Sequence, residues 1–135
     1  MEFITWKDNY SVKVPSIDNQ HQKLVSLINE LYSKFYQDLN NEDLKRIFDE
    51  LESYAGYHFN YEEKFMKLYG FKGYDEHQQE HESFRNKIVN YRDQLDSSKT
   101  SEVIDLLTYL KDWLLKHIMG TDRKYANLFV EKGLK

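Results

Sequence analysis

Each of the five histidines of this 135-residue chain stands where an apolar stripe of helical period would continue. That placement constrains the fold more than any other feature. The histidines occur as a lone His21, His58 with Glu62 four residues on, His77 with His81 four on, and His117 with Asp122 five on. Around them the periodicity predicts helices. A first helix, about 17–38, carries His21, Leu24, Ile28, Leu31 and Phe35 on one face. A second, about 42–68, carries Ile47, Leu51, Tyr54, Ala55, His58, Glu62, Phe65 and Met66. The third, about 75–95, carries His77, His81, Phe84, Ile88, Tyr91 and Leu95. The fourth, about 101–118, carries Val103, Leu106, Leu107, Leu110, Trp113, Leu114 and His117, and a short helix runs to about 131 after a break near Gly120.

Start and stop signals fit these spans. Ser16 or Asp18 is placed to cap the first helix, Asn40 or Asn41 the second and Asp75 the third, with Gly70 and Gly73 around a turn. Short loops between amphipathic helices predict an all-α, antiparallel, up-down-up-down four-helix bundle. Residues 1–135 are read as one domain, with an irregular amino-terminal arm over 1–16 and the bundle over 17–131. Phe3, Trp6 and Tyr10 in the arm are expected to pack back onto the bundle, and Tyr36, Tyr69 and Tyr74 to lie on the surface.

Composition removes several function classes. Hydrophobic residues make up 40% and charged residues 31%, which is a globular balance, and the formal charge of −4 leaves no cationic stripe for nucleic acid. The absence of cysteine excludes disulfides, thiolate zinc sites and iron–sulfur clusters. No apolar run approaches the roughly 20 residues that cross a bilayer, so no membrane insertion is expected. The amino terminus lacks the pattern of a secretory signal, and a cytoplasmic location is expected.

A buried imidazole needs a hydrogen-bond partner or a metal, because an unsatisfied buried polar group costs roughly 1–3 kcal/mol. One such histidine reads as a core residue bonded to a carbonyl. Five, beside two core carboxylates, read as ligands of iron, zinc or manganese. Residues four apart lie about 40° apart around a helix, so His58 and Glu62 converge, as do His77 and His81. Glu63 points off that face and is read as a solvated charge or one that reaches the site from outside. Five residues separate His117 from Asp122, about 140° in a regular helix. Asp122 therefore joins the site only if a glycine break or a π-type bulge at Gly120 rotates it inward.

Five imidazoles and two carboxylates are too many for one ion and suit two. If both carboxylates bridge, with a hydroxide, three histidines complete six-coordination on one ion. Two histidines then leave the other ion with an open position, where a small molecule such as O₂ can bind.

The motifs Ile-Asp-Asn-Gln-His (17–21), His-Phe-Asn-Tyr-Glu-Glu (58–63), His-Gln-Gln-Glu-His (77–81) and His-Ile-Met-Gly-Thr-Asp (117–122) resemble those of the hemerythrins, above all the single-domain bacterial ones. The resemblance covers almost the whole chain and reaches every candidate ligand. It implies a non-haem pair of iron ions cycling between Fe²⁺ and Fe³⁺ under a bridging hydroxide or oxo group. It assigns His77, His81 and His117 to the saturated iron, His21 and His58 to the iron that takes O₂, and Glu62 and Asp122 to the bridges. O₂ would take two electrons and a proton on binding and return both on release. Phe59, Trp113, Leu114 and Ile118 match apolar pocket positions of the family, and Leu24 and Ile28 follow His21 by one and two turns. Plain core packing accounts for each of these six equally well.

The resulting expectation is reversible O₂ binding for carriage, storage or delivery, with no enzymatic role. An O₂-sensing module and a ferroxidase or peroxide-consuming site are the alternatives. A separate O₂-consuming or signalling protein would be the partner.

Overall fold

The computed structural model describes residues 2–94 and 96–135. Five α-helices account for most of them: α1 (Pro15–Gln37), α2 (Asn41–Leu68), α3 (Tyr74–Arg92), α4 (Thr100–Lys116) and α5 (Arg123–Glu131). Among the described residues there is no strand. The first four form the expected bundle. Leu95, expected at the end of the third helix, lies outside the described residues, and α3 ends at Arg92.

Local chemistry sets the helix ends. α1 begins two residues before its expected start. Val14 takes the cap position and Pro15 the first turn, where its fixed φ suits the helix and its missing N–H costs nothing. Neither Ser16 nor Asp18 caps α1. Asp18 instead turns back and accepts from the Val12 amide at 2.9 Å and from the Ser11 hydroxyl, tying the arm to the helix. Asn40 does cap α2, accepting from the Asp43 amide at 2.8 Å. Asp75 does not cap α3. Gly73 holds that position, and Asp75 lies inside the first turn, where its charge still favours the positive end of the helix dipole.

The apolar interior is divided in two. One cluster holds Leu24, Ile28, Leu31, Ile47, Leu51, Phe59, Phe84, Leu106, Leu110, Leu114 and Ile118. The other holds Val12, Val14, Ile17, Met66, Tyr125 and Phe129. On α1, His21 stands between Ile17 of one cluster and Leu24 of the other; on α2, Glu62 stands between Met66 and Phe59. Asp122 stands likewise between Ile118 and Tyr125. The histidines and carboxylates therefore form a polar layer sandwiched between two dry ones. Tyr69 and Tyr74, expected on the surface, are partly buried against the second cluster, whereas Tyr36 is exposed.

The arm packs onto the bundle as expected. Phe3 stacks on Tyr32 with ring centroids 4.6 Å apart, and Ile4 is buried. Asn29 of α1 fastens it: its side-chain oxygen accepts from the Phe3 and Ile4 amides at 3.1 and 2.8 Å, and its amide donates to the Ile4 carbonyl at 2.8 Å. Asn29→Ala leaves these partly buried groups unpaired and should cost about 1–3 kcal/mol, read by urea denaturation. A loss below about 0.5 kcal/mol, the range of inert surface changes, would contradict this role.

Candidate metal centre

Two helices supply pairs of facing groups by their period alone: His58 and Glu62 on α2, His77 and His81 on α3. His21 comes from α1. The remaining two depend on a departure from α geometry. Between α4 and α5, His117–Thr121 forms a π-helical turn, and the Asp122 amide donates to the His117 carbonyl at 2.8 Å, five residues back. One turn here consumes an extra residue, which returns Asp122 to the face that carries His117. The rotation comes from the π-turn. Gly120 has no positive φ, and a Cβ there would meet nothing within 4 Å, so the turn does not depend on a glycine at that position.

All seven sequence-predicted ligands meet in one cluster, each with no more than 3% of its surface exposed. Asp122 divides its oxygens. Oδ1 lies 2.9 Å from His117 Nε2 and 3.0 Å from His77 Nε2, while Oδ2 lies 2.9 Å from His21 Nε2. Glu62 Oε1 lies 2.7 Å from His58 Nε2 and 3.6 Å from His81 Nε2, and Oε2 lies 3.5 Å from His77 Nε2. Every histidine thus presents Nε2 inward, toward the two carboxylates.

These contacts are short but poorly directed. The Nε2 atoms of His21, His58 and His77 and all four oxygens of Glu62 and Asp122 make no hydrogen bond. His81 and His117 bring their Nε2 atoms to 3.1 Å. Buried polar atoms without hydrogen bonds are rare in folded proteins. Here they all point into one space, which is the signature of a cation site. Two overlapping groups can each hold an ion, with ligand atoms within 4.8 Å of one another: Glu62, His77, His81 and His117, and His21, His58, Glu62 and Asp122. The donor set fits two transition-metal ions.

Without metal, the charges of the cluster are settled by protons. Burial alone would raise Glu62, yet the imidazoles of His58, His117 and His77 hold it well below the carboxylate range. Asp122 is likewise held low against burial and the charge of Glu62, by His117 and His21. Burial lowers His77, but its bonds to Asp122 and Glu62 outweigh that and lift it to about 9. His117 is raised in the same way, against burial, chiefly by Asp122. His58 and His81 are instead lowered by burial.

Sequence reasoning missed three neighbours. Gln20, buried at 5% exposure, accepts from His58 Nδ1 at 2.7 Å. Glu80 lies 3.6 Å from His117 Nδ1. Tyr125 is fully buried with its hydroxyl unpaired, and burial and the nearby Asp122 and Glu62 push it well above the usual phenol value. Tyr125 carried a usable signal, standing three residues after Asp122. Glu63, left open between two roles, accepts from His81 Nδ1 at 2.8 Å.

Of the six apolar pocket candidates, Leu24, Ile28, Phe59, Leu114 and Ile118 are buried, and Trp113 is partly buried against them. Phe59 stacks on His81 at 4.0 Å and Trp113 on His117 at 4.5 Å.

A family model described as the hemerythrin HHE cation-binding domain matches residues 12–129. The chain belongs to the hemerythrin family. It is 31% identical to a bacteriohemerythrin of Clostridium acetobutylicum over 127 residues, covering 90% of this chain and 98% of the relative. A bacteriohemerythrin of Pseudomonas aeruginosa is 30% identical, covering 94% and 82%. A myohemerythrin of Riftia pachyptila is 30% identical, covering 89% and 88%. A crystal structure of wild-type hemerythrin superposes with a TM-score of 0.80 at 22% identity, covering 93% of this chain and 97% of that one, which establishes the shared fold. Hemerythrins bind O₂ at a di-iron centre and are not enzymes, and this chain carries a histidine–carboxylate cluster able to hold the metal. No described helix is long and apolar enough to cross a membrane.

The proton balance of this cluster gives a pH test. A histidine raised to about 9 in the folded state stabilises the metal-free protein fully below its ordinary value of 6.5, and that stability is lost as pH rises through about 9. His117 acts in the same sense, while His58 and His81, held low, withdraw stability as pH falls below the ordinary histidine value. Melting of the chelator-treated protein should therefore peak near neutral pH and fall toward about pH 9.5. A melting temperature that stays level or rises over that alkaline range would contradict this balance.

Proposed function

We propose that His77, His81 and His117 hold one iron and His21 and His58 the other, with Glu62 and Asp122 bridging them, and that the chain binds O₂ reversibly at the second iron. The division of Asp122, one oxygen toward His77 and His117 and the other toward His21, is the observation that carries this reading. Two bridging carboxylates serve both ions equally, so the difference of one histidine leaves the two-histidine ion with a free position. When bound, the iron pair supplies the electrons that O₂ borrows and returns.

The remaining work falls to the chain. As ligands the imidazoles would act as neutral donors, with His77 and His117 giving up the protons they hold without metal, and the low affinity of Glu62 and Asp122 for protons keeps both carboxylates free to bind cations. Leu24, Ile28, Phe59, Trp113, Leu114 and Ile118 form the apolar wall that excludes water and so slows irreversible oxidation. In this reading residues 1–135 act as one domain that carries, stores or delivers O₂ in the cytoplasm. A cysteine-free chain needs no oxidising compartment to fold, which supports that location. The recipient is a separate O₂-consuming or signalling protein.

The reduced, iron-loaded protein should gain a visible absorption band in air and lose it under argon over repeated cycles. A single oxidation that argon does not reverse would contradict reversible binding. Glu62→Ala and His77→Ala should each bring iron content below one ion per chain and lower the melting temperature of the loaded protein. Variants with two irons and unchanged melting would overturn the ligand assignment.

A further inference from the structure

The inner nitrogens of the five histidines are alike, but the outer ones are not. With Nε2 turned inward, each Nδ1 is left to donate to groups outside the cluster, and those of His58 and His81 do so. His81 donates to a carboxylate, Glu63, at 2.8 Å, and His117 Nδ1 faces a second, Glu80, at 3.6 Å. Both belong to the group of three histidines, whose third member, His77, has no partner at Nδ1. In the group of two, His58 donates to Gln20 at 2.7 Å and His21 Nδ1 has no partner. The carboxylates facing outer nitrogens, Glu63 as an acceptor and Glu80 nearby, therefore stand on one side of the centre, and the neutral acceptor on the other.

Gln20 is the odd member of this shell. It is the only non-ionisable polar side chain buried among the described residues, at 5% exposure. It reaches His58 across the interface between α1 and α2, from the position next to His21. Because His58 must donate, the amide presents its oxygen.

An outer acceptor does two separable things to a metal-bound imidazole. It fixes the ring plane, which strengthens binding, and, if it is a carboxylate, it also makes the ring a stronger electron donor. A carboxylate further places a negative charge near the metal in a dry interior, where charge interactions are strong. Both electronic effects favour the more oxidised ion. An amide oxygen gives the orientation without the charge.

We propose that Gln20 is a positioning residue that fixes His58 through a neutral acceptor and so keeps the two-histidine iron easy to return to the ferrous state. Glu63 works in the opposite sense on the three-histidine side, through His81. Arg85 lies 3.7 Å from the same Glu63 oxygen and offsets part of its charge. The proposal rests on the ligand assignment given above.

Gln20→Glu, Gln20→Leu and Glu63→Gln, each in the full iron-loaded chain, separate the two contributions. The readouts are iron content, ferrous affinity of the metal-free protein, and the reduction potential of the loaded centre. Gln20→Leu should weaken ferrous binding by roughly 10–100-fold, and Gln20→Glu should restore it. Gln20→Glu should lower the potential and speed irreversible oxidation in air, while Glu63→Gln should raise the potential. Wild-type affinity in Gln20→Leu would overturn the positioning role. A potential in Gln20→Glu at or above that of the unchanged chain would overturn the electronic one. Loss of iron from Gln20→Glu beyond that of Gln20→Leu would also overturn the proposal, since a carboxylate should orient His58 as well as an amide. Failure of the unchanged chain to take up two irons would instead sink the ligand assignment itself.

Discussion

Two carboxylates and five imidazoles are buried in the middle of this bundle, and that polar layer is the constraint on which everything else depends. Taking an ionised carboxylate out of water costs several kcal/mol unless charge and hydrogen bonds replace the solvent. Inside this cluster the hydrogen bonds are largely missing: both oxygens of Glu62 and of Asp122 go unpaired although neither residue is exposed. Protons on His77 and His117 offset the charge without metal, and two cations satisfy the same atoms more completely. Metal uptake and folding are thus one thermodynamic problem.

The bundle is arranged to contain that layer. Each of α1, α2 and the α4–α5 segment passes from one apolar cluster to the other with a candidate ligand at the crossing. The apolar layers on both sides leave Glu62 and Asp122 with no exposed surface. Only one crossing needs irregular backbone. Regular helix would carry Asp122 to the outside, and the π-turn at His117–Thr121 brings it back under His117. A local departure from α geometry at a functional site is the usual place for such a bulge.

Most of this was readable from residue spacing. Periods of four locate the candidate ligand pairs on α2 and α3 because the α-helix turns at nearly that interval, and the bundle follows from the stripes themselves. Asp122 was readable only conditionally: five residues fit a bulge, and nothing in Gly120 itself produces the turn, since its backbone is one any residue could adopt. Helix starts were misjudged where backbone outranked side chains, at Val14–Pro15 rather than Ser16 or Asp18 and at Gly73 rather than Asp75. Gln20 and Glu80 escaped notice because their roles depend on contacts between different helices, which periodicity within one helix does not report.

The claim that these seven side chains form one site for two irons is tested most directly by anaerobic titration of the metal-free protein with Fe(II), followed by optical or calorimetric signal. The account predicts a break at two equivalents per chain, moving below two in Asp122→Ala. A break at one equivalent, or two equivalents retained at unchanged affinity in Asp122→Ala, would contradict it.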